Sequence, residues 1–400
     1  MRGKEKSRIT FHLHGIFLLY IALAIAGSLG QYFKGPQFFN DQAYTHYNNF
    51  VIFKQSFFHL LQGKDLYALY PDQYWDYYKY SPTFAWFMAP FAPLADWLGL
   101  IFWNVLNCLL LFLAIRKIDD LETKNKLWLL LFIALELFTS VQNAQSNGLL
   151  AALIILAFSA FDKKKISLAA LFIIVSFYLK IFGMVALILF LLYPHKIKFL
   201  LYSVGWFIFL GILPLLFIPM PQLINLYRSW IHLLIMDQSV SQGLSLMGIL
   251  HSWFSIQVPK ALILLVGVIF LVMPFFRSRR DIPKNFKVNY LASLLIWMVI
   301  FNHKAESPTY ILAMSGVGLW FFSNPQTRLN LILTVLAFIL TSLSPTDLFP
   351  KILRDHFIIP YQLKALPAVL IWIKIQWDFL FSKTIYPQSK LALAKEESRE

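Results

Sequence analysis

The sequence predicts an all-α, polytopic integral membrane protein with about twelve transmembrane helices. Three observations carry that expectation. Of the 400 residues, 58% are hydrophobic and only 14% are charged, and the mean hydropathy is +0.63. A soluble chain of this length needs far more charge to cover its surface. The apolar residues are gathered into runs that match a bilayer crossing of roughly 20 residues. The 35 Lys and Arg, which dominate a net charge of +15, sit in short clusters between those runs. That is how cytoplasmic loops are marked, and it argues against a nucleic-acid surface. The single cysteine, Cys108, lies inside an apolar run, which excludes an intramolecular disulfide or a cysteine metal cluster.

Arg2, Lys4, Lys6 and Arg8 precede the first span, 15–33, and place the N-terminus in the cytoplasm. No A-x-A-like cleavage site follows, so this run is expected to be retained. Residues 34–80 form a polar, aromatic-rich external loop, too long for a simple connection. Within it Phe50, Phe53, Phe57 and Leu60-Leu61 recur at three- and four-residue steps, with Asn48, Asn49, Lys54 and Gln55 on other faces. This predicts an amphipathic juxtamembrane helix lying in the interface and stopped at Gly63. Pro90, Pro93 and Asp96 divide 82–115 into a juxtamembrane or re-entrant piece, 82–95, and a second span, 97–115. Spans 127–141 and 148–161 enclose the outer turn Gln142-Asn143-Ala144-Gln145-Ser146-Asn147.

The stretch 166–193 has basic flanks at both ends, Lys163–Lys165 before and His195, Lys196 and Lys198 after. Two short helices with Lys180 at the outer turn keep both flanks inside, whereas one long helix separates them. Spans 199–218, 260–276, 288–302, 308–322, 329–343 and 364–381 complete the set, with an external loop at 219–259. The chain reads as one membrane domain, 1–382, with a polar tail, 383–400. Both termini are expected in the cytoplasm of a multi-pass plasma-membrane protein.

On this topology the external polar groups gather in four places: the loop 34–80, Lys180, the loop 219–259 with Arg228, His232, Asp237 and His251, and Asn302-His303-Lys304-Ala305-Glu306-Ser307. An ammonium at membrane depth is costly unless it faces a polar cavity. Lys180 is therefore the first candidate for a phosphate contact, with snorkelling to the headgroups as the alternative. His303 and Lys304 form a second cationic pair, and Arg228 and His251 rank below them. Tyr67, Trp75 and Tyr80 suit either sugar stacking or an aromatic belt. Asp41, in Phe39-Asn40-Asp41-Gln42, suits either a helix cap or a general base. Glu136 and Lys374 lie inside spans and receive no catalytic role. The sequence carries no His-Glu-x-x-His or Asp-x-Asp metal motif.

The motifs fall in a telling order. A cytoplasmic tail and one span lead to Asp41, and an aromatic helix ends in Gly63-Lys64-Asp65-Leu66-Tyr67. Tyr80-Ser81-Pro82-Thr83-Phe84 leads to Ala89-Pro90-Phe91-Ala92-Pro93-Leu94, and Asn143-Ala144-Gln145-Ser146-Asn147-Gly148 and Tyr178-Leu179-Lys180 follow. From residue 15 to 320 this order resembles the C-fold (GT-C), polyprenyl-phosphate-sugar-dependent glycosyltransferases of family 87, the mannosyltransferase-like group also described as domain of unknown function 2029.

The resemblance implies a hexosyltransferase moving mannose or a similar hexose from a polyprenyl-phosphate donor to a lipid-linked or cell-surface glycan, with inversion. It implies Asp41 as general base and Lys180, His303, Lys304 and Arg228 at the donor phosphate. Tyr67, Tyr80, Gln145, Asn147 and His251 would contact sugar or acceptor. The expected partners are donor, acceptor and bilayer, without nucleic acid, and a divalent metal is left open. The family's usual turn is Gly-Gln-x-Asn, and here Asn143 or Ala144 stands in place of the Gly. The competing reading, a transporter or flippase of lipid-linked sugars, calls for midplane charges and two related halves. The crowding of polar groups on one face and the lack of a repeat favour the enzyme.

Overall fold

The computed structural model describes residues 2–236, 242–277 and 283–381. The tail 383–400 and Asp237 lie outside the described residues. Two compact units are present, Met1–Ser241 with Glu306–Leu312, and Gln242–Ala305 with Ala313–Glu400.

In the first unit, α1 (Arg2–Tyr32) is followed by the strands β1 (Pro36–Phe39) and β2 (Gln42–Thr45), paired antiparallel with Phe39 opposite Gln42. This hairpin corrects the purely helical expectation for the first loop. Asn40 and Asp41 have φ of 48° and 63°, and two consecutive left-handed residues are what the favoured two-residue hairpin turn demands. Asp41 therefore forms the turn and does not cap the next helix, whose N-cap is Tyr47.

That helix, α2 (Asn48–Leu61), bears the expected aromatic stripe. The stripe faces protein and not lipid: Phe50, Phe53, Phe57 and Leu60 are buried. Phe53 meets Tyr80, Phe84 and Trp103 at ring distances of 4.8, 5.1 and 5.7 Å. The polar face also has partners. Lys54 pairs with Asp96 at 2.7 Å, and the Asn48 amide donates to the Trp75 carbonyl and accepts from its N–H. Gly63, at φ +70°, ends the helix as anticipated.

After α3 (Pro82–Phe87) come α4 (Asp96–Arg116), α5 (Thr123–Gln142), α6 (Asn147–Asp162) and α7 (Ile166–Leu179). Helix α6 is apolar all round and almost wholly buried, as a helix without a polar face must be, and α4 and α7 pack against it. The break at Lys180 appears where the basic flanks require it. The continuation, Ile181–Leu192, is a 3₁₀ helix, followed by α8 (Lys196–Ile212) and α9 (Met220–Met236).

The second unit holds α10 (Leu246–Phe254), α11 (Lys260–Arg277), α12 (Lys284–Ile300) and most of α13 (Tyr310–Ser323). It continues with α14 (Arg328–Ala337), a π-helical extension Phe338–Leu343, the short α15 (Lys351–Leu353) and α16 (Leu366–Phe381). Buried α12 packs on α16. Lys374 forms an i,i+4 pair with Asp378 within α16. The segment read as an open loop, 219–259, instead contains α9 and α10, because Leu223, Leu226 and Trp230 give it a buried helical face.

Among the described residues, four helices are long and apolar enough to cross a bilayer: His12–Tyr32, Asp96–Arg116, Thr123–Gln142 and Lys196–Leu216. Five further apolar helices have 10–17 residues, short of the roughly 20 that one crossing needs. The molecule is an all-α membrane protein apart from its hairpin, and helix length accounts for fewer than the twelve crossings expected.

Candidate functional site

The site is built where three loops of the first unit converge on Lys180. The first is the turn between α5 and α6. Ala144 adopts φ +49°, its N–H bonds the Val141 carbonyl, and the Gln145 N–H bonds the Ser140 carbonyl. This is the helix-ending motif usually built on glycine, so Ala144 is the residue standing in the glycine's place. An L side chain there costs about 1 kcal/mol. The turn is held by Trp103, whose indole donates to the Ala144 carbonyl at 3.0 Å, and by Asn49, whose amide donates to the Asn143 carbonyl at 2.9 Å. Asn107 on α4 accepts from the Leu149 N–H at 2.9 Å, satisfying one of the amides that the start of α6 leaves open.

The second element is Tyr80-Ser81-Pro82. Ser81 caps α3 by accepting from the Phe84 N–H, and Pro82 occupies the first turn, where its missing N–H costs nothing. The Ser81 hydroxyl also donates to the Tyr178 carbonyl at 2.6 Å, fastening this loop to the end of α7. Tyr80 stacks on Phe84 at 4.7 Å.

The third element is the break itself. Lys180 is extended, with φ −149° and ψ 129°. Its N–H bonds the Ser176 carbonyl and its own carbonyl accepts from the Gly183 N–H. A Cβ on Gly183 would fall on the Ser176 carbonyl, so only glycine allows the chain to close this tightly.

The half-buried Lys180 ammonium donates to Asn147 Oδ1 at 2.8 Å and to Gln145 Oε1 at 3.2 Å. The rings of Tyr80 and Phe182 lie 5.8 Å from it, within cation–π range. The Tyr80 hydroxyl reaches Gln145 Oε1 at 3.5 Å. Asn147 uses its other amide atom to donate to the Pro308 carbonyl at 3.0 Å, fastening the segment 306–312. Exposed Glu306, at the start of that segment, adds a negative charge acting on Lys180 and Tyr80. Burial pushes the Lys180 ammonium down to about 8, and Glu306 partly offsets it. Burial likewise raises the Tyr80 phenol, which the Ser146 hydroxyl eases. Amide oxygens orient the cation without cancelling its charge, and with two of its three N–H groups so placed the third can meet an anion.

Of the expected residues, the structure brings Lys180, Tyr80, Gln145 and Asn147 together. Tyr67 lies behind them, buried, with its hydroxyl donating to the Tyr80 carbonyl at 3.0 Å, so it supports Tyr80 and offers no open ring face. Asp41 is exposed at the hairpin tip and makes none of the contacts around Lys180. Arg228 is exposed on α9. His251, on α10, and His303 and Lys304 belong to the second unit, where the Lys304 N–H bonds Asn302 Oδ1 at 3.0 Å. Phe182 and Glu306 were not singled out from the sequence. A Pro308-containing capping box at Glu306 and Thr309 was the available signal for an ordered acidic residue there. Among the described residues no group of three or more His, Cys, Asp or Glu is placed to hold a metal ion.

Comparison with known proteins bears on this geometry. The family model for glycosyltransferase family 87 matches residues 78–301, more than half of the chain. The matched segment includes Tyr80, Gln145, Asn147 and Lys180, whereas Asp41 precedes it and Glu306 follows it. A search of curated proteins returns no match.

Proposed function

The chain belongs to glycosyltransferase family 87 and is a glycosyltransferase, and from that premise we propose that it transfers a hexose, mannose or a similar sugar, from a polyprenyl-phosphate donor. The acceptor is a lipid-linked or cell-surface glycan on the outer side of the plasma membrane. The observation that carries this reading is the setting of Lys180: a cation oriented by two neutral amides and flanked by two aromatic rings. That combination suits a phosphate ester joined to a sugar and a hydrocarbon tail.

In the reaction, the acceptor hydroxyl attacks the anomeric carbon as the bond from that carbon to the phosphate oxygen breaks. The phosphate leaves with the electron pair, and the Lys180 ammonium takes up its growing charge. The hydroxyl proton passes to a carboxylate, and a single in-line displacement inverts the anomeric centre. Asp41 is the proposed base, an exposed carboxylate at the hairpin tip. Glu306 is a second carboxylate, favoured because its charge acts on Lys180. A flippase reading is set aside, because a flippase forms no glycosidic bond.

The test is incubation of the purified protein with a panel of radiolabelled polyprenyl-phosphate sugars and a native lipid extract. Transfer from one hexose donor to an extractable acceptor is expected. Transfer only from nucleotide sugars refutes the donor class. Asp41→Asn should abolish transfer without loss of expression, a base contributing about 10²- to 10⁴-fold. Full activity in Asp41→Asn with loss in Glu306→Gln would move the role to Glu306.

A further inference from the structure

We infer that the far end of α7 carries a second anion site, for the phosphate headgroup of an anionic membrane lipid. A cavity of about 510 Å³ opens between the starts of α7 and α8, bordered by Lys164, Lys165, Ser167, His195, Lys198 and Trp206. Among the described residues, Lys164, Lys165 and Lys198 have no acidic partner, whereas neighbouring Lys163 is paired with Asp119 at 3.2 Å. Three like charges at the rim of one hollow favour the entry of an anion. The wall is fixed in advance, because the Trp206 indole donates to both the backbone carbonyl and the hydroxyl of Ser167 at 3.1 and 3.2 Å.

Two features select a lipid over a small anion. The volume far exceeds what a phosphate ion fills, leaving room for a glycerol head. The cavity wall also carries apolar surface, with Ile166, Leu168, Leu171 and Tyr202 beside the lysines, and α8 is among the helices long and apolar enough to cross a bilayer. An amphiphile can therefore place its phosphate among the lysines and the start of its tails against that apolar wall. This site is separate from Lys180. The two stand at opposite ends of a 14-residue helix, about 21 Å at 1.5 Å per residue.

The experiment uses the full-length protein in detergent, delipidated and then titrated with phosphatidylglycerol, phosphatidylcholine or inorganic phosphate, with bound species counted by native mass spectrometry. Phosphatidylglycerol should be retained at least fivefold better than phosphatidylcholine, and this preference should shrink as salt rises. Lys198→Gln and Lys164→Gln should each reduce it severalfold, and Lys198→Arg and Lys163→Gln should preserve it. Because loop lysines also set membrane orientation, the wild-type competition is decisive where a variant inserts poorly. Equal retention of the two lipids, or retention indifferent to Lys164 and Lys198, overturns the proposal. Displacement of phosphatidylglycerol by inorganic phosphate at equal concentration reduces the cavity to a small-anion site and overturns its lipid identity.

Discussion

Replacing Lys180 by methionine keeps most of the apolar stem of the side chain and removes the ammonium, its charge and its N–H donors together. The ammonium donates to Asn147 and Gln145 at 2.8 and 3.2 Å, and in the proposed complex its third N–H meets the donor phosphate. A hydrogen bond between charged groups is worth about 1.5–3 kcal/mol. Its loss should therefore lower kcat/KM for the donor by about 10- to 150-fold. The acceptor KM should change little.

The pH dependence gives a sharper signature. Lys180 is pulled down to about 8 by burial, so the free enzyme carries the cation below that pH and loses it above. Donor kcat/KM should hold through pH 7 and fall roughly tenfold per unit above pH 8. Lys180→Arg, whose guanidinium stays charged, should remove that alkaline limb even if its maximum rate is lower. The assay is initial-rate transfer of radiolabel from the donor across pH 6–10 with wild type and both variants. An unchanged kcat/KM in Lys180→Met, or an alkaline limb that survives in Lys180→Arg, refutes the phosphate contact.

Other consequences can be checked on the same protein. Gly183→Ala puts a methyl on the Ser176 carbonyl and should cost about 1–3 kcal/mol, read as a lower Tm together with weaker donor use. Gly205→Ala, where nothing lies within 4 Å, should leave both unchanged or raise the Tm. Ala144→Gly trades the strain of a left-handed alanine against glycine's greater chain freedom, so its stability should stay within about 0.5 kcal/mol. Ala144→Val forces a β-branched residue into the same φ and should lose about 1–3 kcal/mol. For orientation, Cys108 is buried, so Asp72→Cys and Lys198→Cys can be labelled in a Cys108→Ser background. An impermeant maleimide applied to intact cells should reach the first alone, and labelling of both would break the assigned topology.

The helices of this protein were legible because a bilayer writes its demands in apolar runs, and their ends fall at charges or helix breakers. Even the break at Lys180 could be argued, since basic residues on both sides of 166–193 cannot be reconciled by a single crossing. The hairpin at 36–45 could not, because two four-residue strands carry too little periodicity to stand out from a polar loop. Helices α9 and α10 were hidden for a different reason: α9 mixes Gln222, Asn225, Arg228 and His232 into its apolar residues and α10 has only nine residues, so neither reads as a bilayer crossing. The stripe of α2 was read correctly as a helix face, but sequence pattern does not distinguish a face turned to lipid from one packed against Phe84 and Trp103.

The candidate site shows the same division. Tyr80, Gln145, Asn147 and Lys180 could each be picked out alone, as polar or aromatic groups at the expected outer face. Their convergence depends on contacts between distant segments, Ser81 with Tyr178 and Asn147 with Pro308, which no local pattern records. Asn147 makes the physical point. Its carbonyl oxygen orients the ammonium while its NH₂ holds the segment bearing Glu306. An aspartate at 147 would lose the second bond, and through the first it would neutralise the charge proposed to meet the departing phosphate. The requirement is for a neutral acceptor and a donor on one rigid side chain, and asparagine is the shortest that supplies both.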